Sequence, residues 1–472
     1  MKSPYTFQQE TVRQILAAPL HRFGAAYDCG LGKTGVALTA GRAAFAGRAD
    51  SRILVITPAV VRNHWLDEFA DWWPERAADA RLITLGKERK SGVSKAAAVR
   101  RDEAYASPIQ VVSYALLKHI ERRGWDYIIF DEAHRLKTPG SAQSVQAREI
   151  AQENPGAMIV PLTATPIPDD VCDIWNPCDI TWPGRFGQAK TLRYVPYEFG
   201  LRYSKWVESV GADGTVYGGQ FKGLNPVHAD ELRFRMDQCW HRVTKASVAH
   251  LLPPFMVQLL KVEPDKQVQF ANVDDWIARQ GEEKFPFVKE WLDDAVETDT
   301  HVCVLTHLTD TVDRVGKYAQ RFGIPVYRVS GSHQPSAEQR NAELARAKSE
   351  PRAIIVATMH SVGIGIDLTF ATRALFAELY WRPETVIQAL GRFSRLSGVL
   401  PSSVTLLCLK GTQDEAMARS LLRKVNDISR AVGAGDGESR LSEALEGMKM
   451  TDDEALDSIN RALFSGAFLE TF

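Results

Sequence analysis

The sequence predicts an α/β protein with two lobes of parallel strands flanked by helices, and an irregular insertion between the lobes. Short β-branched apolar runs alternate with helix-like stretches between residues 53 and 164, and again after residue 300. Continuous apolar runs of this length are typical of strands that are buried on both faces of a parallel sheet. Between the two alternating parts, residues 166–254 are rich in aromatic, glycine and basic residues and contain few regular strands.

The apolar runs are predicted to form the strands of both sheets. They are Ile53–Thr57, Ile109–Tyr114, Tyr127–Asp131 and Met158–Ala164 in the first lobe, and His301–His307, Pro325–Gly331, Ala353–Met359, Ala374–Leu379 and Val404–Leu409 in the second. The predicted domains are a first lobe over residues 1–170, an insertion with a helical protrusion over 171–255, a second lobe with its linker over 256–433, and an acidic tail over 434–472. The tail has helix-like apolar spacing with acidic first turns, which favours a docked helical appendage over a mimic of nucleic-acid charge.

Composition narrows the class of protein. The chain has 472 residues, of which 45% are apolar and 24% charged, as is ordinary for a soluble globular protein. Its net charge of −1 provides no general basic field, so any surface for nucleic acid must be local. No signal peptide or apolar run of about 20 residues is present, so we expect a cytoplasmic protein with no membrane partner. The six cysteines form no C-x-x-C pair, which favours buried, reduced thiols over disulfides or zinc.

The stretch YDCGLGKTG, Tyr27–Gly35, resembles a phosphate-binding loop but has Tyr27 where the common pattern has its first glycine. Glycines at the start of a helix let backbone amides surround the phosphates of a nucleotide. Lys33 would reach the β- and γ-phosphates of that nucleotide, and the Thr34 hydroxyl would bind Mg²⁺. By itself, GLGKT could be a chance match or part of a metabolic kinase. The predicted nucleotide-binding residues here are Gly30, Leu31, Gly32, Lys33, Thr34 and Gly35.

The stretch YIIFDEAH is an apolar strand that ends in two carboxylates, Asp131 and Glu132. Asp131 is suited to holding Mg²⁺ through its water shell, and Glu132 to orienting and deprotonating an attacking water. A strand that ends in a charged turn would explain many such pairs, but not a phosphate loop upstream in the same lobe. Buried carboxylates without such a role are costly. Together the two segments predict an ATPase that uses ATP and Mg²⁺.

These segments resemble the Swi/Snf-type branch of helicase superfamily two, whose phosphate loop, D-E-M-G-L-G-K-T, also lacks the early glycine. DEAHRLK resembles its second motif, LVITPAVVRNHWLDEF its N-x-W segment, and VVSY and LTATP its later motifs. The resemblance implies two RecA-like lobes. YTFQQETVRQIL is similar to the family's glutamine motif, which implies that Gln8 reads adenine, although a polar helix start would also explain Gln8.

In the second lobe, ATMHSVGIGIDLT and QALGRFSRLS resemble the fifth and sixth motifs of this family. The resemblance implies that Gly365 and Asp367 approach the nucleotide and that Gln388, Arg392 and Arg395 complete the catalytic set. Arg392 and Arg395 are three residues apart, and we expect both on one helical face, where they could point at one phosphate. Arginines in that position stabilise the charge of the transferring phosphoryl group.

The insertion resembles the corresponding stretch of the annealing-helicase subgroup. EFGLRYSKW is similar to that subgroup's F-x-x-R-Y-C, GGQFKGLNPVHADEL to its G-x-x-N-x-x-E-L, and WHRVTKASVAHLLP to its R-x-K-x-x-V-x-x-x-L-P. The chain departs from these patterns at Ser204, where the subgroup has cysteine, and by one extra residue between Arg242 and the leucine-proline pair.

The resemblance also implies a track for nucleic acid across both lobes. Hydroxyls and main-chain groups suit contacts with phosphates, which position a strand without reading bases. The basic run Lys87–Arg101 would touch the backbone or form a solvated loop. No base-reading module is present, so binding should be independent of sequence and should weaken with salt. The candidates are Thr57, Pro58, Arg62, Thr306, His307, Ser330 and Thr358 for contacts, and His134, Thr163 and Thr165 for coupling to ATP.

The sequence therefore predicts an ATP-dependent, monomeric translocase or helicase, of bacterial or phage origin, that moves on duplex or branched DNA and remodels or reanneals it. Two alternatives stay open at this point. One is an RNA helicase built from the same lobes, and the other is a nucleotide-binding DNA-interaction module with little hydrolysis.

Overall fold

A computed structural model describes residues 2–84, 104–164, 166–167, 170–187, 194–210, 216–253, 255–263, 270–362, 366–380, 383–396, 398, 400–412, 414–415 and 418. They divide into two compact units, of which the first ends at Ser247 and the second begins at Val248. The basic run Lys87–Arg101, Thr165, Gly365 and the acidic tail lie outside the described residues.

The strands described in the first unit are β1 Gly24–Tyr27, β2 Ile53–Thr57, β3 Ala80–Leu82, β4 Ile109–Ser113, β5 Tyr127–Asp131, β6 Met158–Thr163, β7 Ser204–Val210, β8 Val216–Leu224 and β9 Trp240–Val243. Those described in the second unit are β10 Phe255–Val262, β11 His301–Thr306, β12 Val326–Val329, β13 Ala353–Thr358, β14 Arg373–Phe376 and β15 Ser402–Leu409.

The described helices of the first unit are α1 Thr6–Ala17, α2 Lys33–Ala44, α3 Arg62–Trp72, α4 Pro74–Ala77, α5 Ala142–Glu153, α6 Trp175–Thr181, α7 Tyr197–Tyr203 and α8 Ala229–Asp237. Those of the second are α9 Val273–Glu283, α10 Phe285–Thr298, α11 Thr309–Ala319, α12 Ala337–Ser349, α13 Met359–Val362 and α14 Pro383–Leu390. Short 3₁₀ turns are Pro19–His21, Ala59–Val61, Tyr114–His119, Ala133–Leu136, Val171–Ile174, Pro226–His228, Ala246–Leu251 and Gln320–Phe322. None of the described helices combines the length and the apolar composition that crossing a bilayer would require.

Apart from β7 and β8, the described strands of the first unit form a parallel sheet in the order β3-β4-β2-β5-β6-β1-β9. Strands β1, β2, β4, β5 and β6 are buried along their whole length, as expected for a sheet covered by helices on both faces. Because all the strands run in one direction, the segments after β1, β5 and β6 meet at the carboxyl edge of the sheet. Ligands of open α/β sheets bind at this edge.

The insertion supplies core residues and one strand to the first unit. Trp175, Cys178 and Trp240 are buried in the same apolar core as the strands of the first sheet. Strand β9 joins the sheet beside β1, and β7 and β8 form a separate antiparallel hairpin. The described residues between 171 and 247 therefore group with the first unit in the structure, whereas the sequence predicted an insertion with a helical protrusion over 171–255. Burial of their aromatic side chains against the first core explains this grouping.

In the second unit the described strands form a parallel sheet in the order β10-β15-β14-β11-β13-β12. Apolar clusters pack on its two faces: one contains Trp276 and Phe376, and the other contains Trp291 and Val304. All six cysteines of the chain are free thiols, and five of them are buried.

A fully buried ion pair joins the start of α10 to the end of β15. The Lys284 ammonium lies 2.6 Å from Asp414, and both side chains are completely inaccessible to solvent. The Trp276 indole donates to the Asp414 carboxylate at 2.7 Å, and the Leu409 amide donates to it at 2.9 Å. The charge of Asp414 is thus compensated by three donors, which a buried carboxylate requires.

Substituting Lys284→Met should leave Asp414 as an uncompensated buried charge. We expect the free energy of unfolding to fall by about 3–5 kcal/mol, the usual cost of removing one partner of a buried pair. Urea denaturation followed by tryptophan fluorescence measures this change. The matched control is Lys410→Met, whose ion pair with Glu263 is exposed to solvent, and which should stay close to wild type. Similar stabilities of the two variants would contradict the prediction.

Candidate functional site

The phosphate loop lies between β1 and α2, and two of its glycines adopt the left-handed conformation. The φ angles are 89° at Gly30 and 78° at Gly32, and α2 starts directly after Gly32. Left-handed backbone strains residues that carry a Cβ, so glycine is needed here. The Lys33 ammonium donates to the carbonyl oxygen of Tyr27 at 3.2 Å, so its side chain folds back over the loop. The free amides at the start of α2 make this turn suitable for an anion.

Gln8 holds the phosphate loop from the side of α1. Its side chain is 1% exposed, and its Nε2 donates to the Leu31 carbonyl oxygen at 2.9 Å. Its Oε1 accepts from the Tyr5 amide at 2.9 Å. A Cβ on Gly32 would lie 2.4 Å from Gln8 Nε2, so the amide packs directly on the glycine. The structure thus gives Gln8 a part in shaping the loop, and its reading of adenine stays a prediction.

Asp131 ends β5 as a buried carboxylate, 8% exposed. Its Oδ2 accepts from the Thr57 hydroxyl at 2.8 Å and from the Trp65 indole at 3.0 Å. Burial, and then the neighbouring charge of Glu132, raise the pKa of Asp131, whereas these two hydrogen bonds and the Lys33 ammonium act in the opposite direction. Trp65 is the tryptophan of the N-x-W pattern, but the pattern by itself did not indicate that it donates to Asp131.

Glu132 has left-handed backbone, with a φ angle of 50°, which is strained for a residue with a Cβ. Its Oε2 is buried, makes no hydrogen bond within the part of the chain that the structure describes, and lies 3.4 Å from Nδ1 of His134. The same His134 nitrogen forms a 3.0 Å hydrogen bond with the Thr163 hydroxyl at the end of β6. A strained carboxylate with an unsatisfied oxygen beside the phosphate loop fits a group that acts on a ligand.

In the second unit, the segments of the fifth and sixth motifs lie together. The Leu368 amide donates to the Arg392 carbonyl oxygen at 3.1 Å, and the Arg395 guanidinium donates to the Ile366 carbonyl oxygen. Asp367 accepts from the Thr369 amide at 3.1 Å, which closes a small turn. Gln388 lies on α14.

The expectation that Arg392 and Arg395 share a helical face is wrong. Helix α14 ends at Leu390, and both arginines follow it outside any helix. Gly391 directly after Leu390 explains the end of the helix, because glycine is a poor helix former and is common just beyond helix ends. Arg392 is 9% exposed. Both arginines are therefore oriented by loop contacts, not by helical periodicity.

Several side chains proposed for the nucleic-acid track are inaccessible. Thr57, Thr306 and Ser330 are 0% exposed, and Thr358 is 6% exposed. Their hydroxyls make internal hydrogen bonds. Thr57 donates to Asp131, Thr306 to the Leu308 carbonyl oxygen and Thr358 to the Ser361 hydroxyl. The Ser330 hydroxyl shares hydrogen bonds with the Ser332 hydroxyl and with Nδ1 of His333. These side chains cannot touch a strand in this conformation. A hydroxyl in the sequence does not show whether it faces solvent or serves an internal acceptor.

The other track candidates are also held by the protein. Pro58 is buried, and the Arg62 guanidinium donates to the carbonyl oxygens of Ala59 and Ile83. His307 is half-buried and stacks on Tyr380 with ring centroids 4.3 Å apart. Burial, and then the charge of His360, lower the pKa of His307.

Glu378, which the sequence analysis missed, fixes the turn that carries His307. This carboxylate is completely buried and accepts from the amides of His307 and Leu308 and from the Thr311 hydroxyl. A Cβ on Gly281 would lie 2.0 Å from it, so α9 must bring a glycine to this point. The signal in the sequence was a glutamate that interrupts the apolar run ALFAEL.

Burial raises the pKa of Glu378 above its ordinary value of 4.5, although its hydrogen bonds partly oppose this. Its folded form therefore binds a proton more readily than the unfolded chain, so its contribution to stability falls as pH rises from 4.5 through the folded pKa. In Glu378→Gln this fall should be absent, because the uncharged amide can accept from both backbone amides through its oxygen and donate to the Thr311 hydroxyl through its NH₂ group. Urea midpoints of both proteins from pH 4 to 8 measure the difference. Parallel pH profiles would contradict the prediction.

Family models match most of the described chain. Residues 25–272, more than half of the chain, match the SNF2-related domain, and residues 283–397 match the helicase conserved C-terminal domain. A solved structure, the Sulfolobus solfataricus SWI2/SNF2 ATPase core in complex with dsDNA, aligns over 96% of both chains at 17% identity with a TM-score of 0.41.

Curated relatives extend over nearly the whole chain. It is 24% identical to the SWI/SNF-related matrix-associated actin-dependent regulator of chromatin subfamily A-like protein 1 of Xenopus tropicalis, over 89% of this chain and 44% of that protein. It is 21% identical to an uncharacterized ATP-dependent helicase of Mycoplasma pneumoniae, over 90% and 42%. It is 22% identical to the DNA annealing helicase and endonuclease ZRANB3 of Mus musculus, over 84% and 38%. The chain thus spans less than half the length of these relatives. Since the family model covers more than half of its residues, the chain belongs to the SNF2-related family, with a helicase conserved C-terminal domain after the SNF2-related domain.

Proposed function

We propose that the chain is an ATP-dependent translocase that hydrolyses ATP and moves on double-stranded DNA without sequence specificity. The observation that carries the proposal is the meeting of the phosphate loop and the Asp131–Glu132 pair at one edge of the first sheet. The Lys33 ammonium is near enough to Asp131 to act on its pKa. This arrangement has the parts of a phosphoryl-transfer site, a cationic cradle beside two carboxylates.

The residues of the first unit fit ATP with Mg²⁺. Gly30 and Gly32 turn the backbone around the start of α2, where amides can hold phosphates, and Lys33 supplies a positive charge. Thr34 and Asp131 would hold the metal ion. When bound, Mg²⁺ would neutralise charge on the phosphates of ATP.

Glu132 is the proposed base that orients and deprotonates the attacking water, because its Oε2 has no hydrogen-bond donor within the described residues. His134 and Thr163 would relay the state of this site, since one nitrogen of His134 lies near both Glu132 and the Thr163 hydroxyl. In the second unit, Arg392 and Arg395 are the proposed arginines for the phosphoryl charge, with Gln388 and Asp367 in the adjoining segments.

DNA is the proposed partner because relatives carry it in their names, among them the DNA annealing helicase and endonuclease ZRANB3 and the DNA excision repair protein ERCC-6 of Mus musculus. Remodelling or reannealing of duplex or branched DNA by a monomer in the cytoplasm is the finer form of the proposal. An RNA helicase is the second candidate, since the same two domains would serve it.

ATPase rates measured in parallel with duplex, single-stranded and forked DNA and with RNA test the choice of partner. We expect duplex or forked DNA to stimulate hydrolysis and RNA to have little effect. Stimulation should weaken as salt is raised, because contacts with phosphates release counterions. Stimulation by RNA alone would overturn the DNA proposal and favour the RNA helicase.

Substituting Glu132→Gln should lower kcat by about 10²- to 10⁴-fold, the usual contribution of a positioned general base. Binding of a fluorescent ADP analogue should be unchanged, because Glu132 acts on water and not on the nucleotide. Glu121→Gln is the control, since Glu121 is an exposed carboxylate of the same unit that pairs with Arg52. Equal turnover by Glu132→Gln and wild type would support a binding module with little hydrolysis.

A further inference from the structure

Strand β9 returns the chain from the insertion to the first sheet, and it does so directly beside the phosphate loop. It pairs in parallel with all four residues of β1, from Gly24 opposite Trp240 to Tyr27 opposite Val243. The Asp28 amide, the first after β1, donates to the Val243 carbonyl oxygen at 3.1 Å. The backbone that leads into the loop is therefore held in register by a strand near the end of the insertion.

Arg242 on β9 joins three segments of the site. Its Nη1 donates to the carbonyl oxygens of Ala26 at 2.9 Å and of Ala164 at 3.5 Å, and its Nη2 to Oδ1 of Asp28 at 2.5 Å. The second oxygen of Asp28 accepts from the Lys245 amide at 2.8 Å. The Arg242 side chain is only 13% exposed. Both oxygens of Asp28 are thus held by residues near the end of the insertion.

The segments that Arg242 joins are those that carry the proposed chemistry. Asp28 immediately precedes the turn with Gly30 and Gly32. Ala164 directly follows Thr163, whose hydroxyl bonds His134 beside Glu132. One guanidinium therefore sets the distance between the phosphate loop and the segment that contacts the DEAH residues.

A second contact of β9 reaches α1, which holds the loop from its other side. The Thr11 hydroxyl bonds both the Tyr27 hydroxyl and Nδ1 of His241. Thr11 is buried one turn after Gln8 on α1, and Gln8 binds the Leu31 carbonyl oxygen. Within the loop, Asp28 is thus tied to β9 itself, and Leu31 is tied to α1, which β9 contacts.

We propose that Arg242 is a positioning residue for ATP, and that docking of β9 through Arg242 and Asp28 preorganises the phosphate loop for nucleotide binding. The inference rests on the proposed function, since it names how the insertion governs the same ATP site. Arginine is required because its planar fork of donors reaches a carboxylate and two carbonyl oxygens at once. A lysine ammonium could reach Asp28, but it could not span the three acceptors in the same way.

The test measures the affinity of wild type, Arg242→Ala and Arg242→Lys for a fluorescent ADP analogue, together with KM and kcat for ATP. We expect affinity to fall and KM to rise about tenfold in Arg242→Ala, the scale of lost hydrogen bonds to a charged group. The change in kcat should be small by comparison, because a preorganised loop acts on bound substrate and transition state alike. Arg242→Lys should fall between wild type and Arg242→Ala.

The KM effect separates positioning from a purely structural role. General destabilisation would lower the fraction of active protein, and hence kcat, while the affinity of the remaining folded molecules stayed as in wild type. The matched control is Arg185→Ala, since Arg185 bonds Gln238 at the surface of the same unit. Wild-type affinity in Arg242→Ala, or an equal loss in Arg185→Ala, would overturn the proposal.

The partner substitution Asp28→Asn provides a second route if Arg242→Ala does not fold. Asn keeps an acceptor for one of the two donors but removes the charge that Arg242 meets, so nucleotide affinity should also fall. In the double variant with Arg242→Lys, the two losses should be less than additive, because both act through one contact. Additive losses would overturn the proposal. Nucleotide binding is measured without turnover, so an inactive wild type would refute the proposed hydrolysis while leaving the role of Arg242 testable.

Discussion

The carboxylate of Asp131, buried at the end of a strand, is the constraint that organises the first unit. A charge in that position needs donors, and Thr57 and Trp65 supply them from β2 and α3. Thr57 must therefore end the neighbouring strand in register with β5, and Trp65 must lie one turn inside the helix that follows. Even so, the pKa of Asp131 stays above its ordinary value, since burial outweighs the donors.

The second unit also contains buried carboxylates, and groups of the same unit compensate their charge. Asp414 is paired with Lys284 and Glu378 is capped by the turn at His307, and both carboxylates are fully buried at the ends of strands. In these two cases the donors belong to the fold itself, so the charges fix loops. The contrast with Glu132, whose Oε2 has no donor in the described chain, separates carboxylates that hold structure from one that is available for chemistry.

The sequence predicted the two parallel sheets, because buried strands such as Ile53–Thr57 and Tyr127–Asp131 are continuous apolar runs bounded by polar residues. It did not predict β1 or β9, since GAAY contains no β-branched residue and WHRV only one, and these segments are strands because of the neighbours that cover them. For the site, glycine and carboxylate spacing indicated the loop and Asp131. Residue types could not distinguish Thr57 or Ser330 from surface hydroxyls, because burial depends on the packing of distant segments. The helix break at Gly391 was equally available in the sequence but was outweighed by the three-residue spacing of the arginines.

The pairing of β1 with β9 also has a consequence for the order of events during synthesis. Arg242 and Asp28 contact each other although they are 214 residues apart in the chain. During translation, the phosphate loop emerges long before the strand that registers it, and contacts of such separation form late in folding. A nascent chain released or stalled within the insertion would therefore have most of the first sheet but an incomplete loop. If the loop binds ATP as proposed, nucleotide would stabilise only chains in which the insertion had been synthesised. ATP would then increase the stability of complete first units and not of incomplete ones.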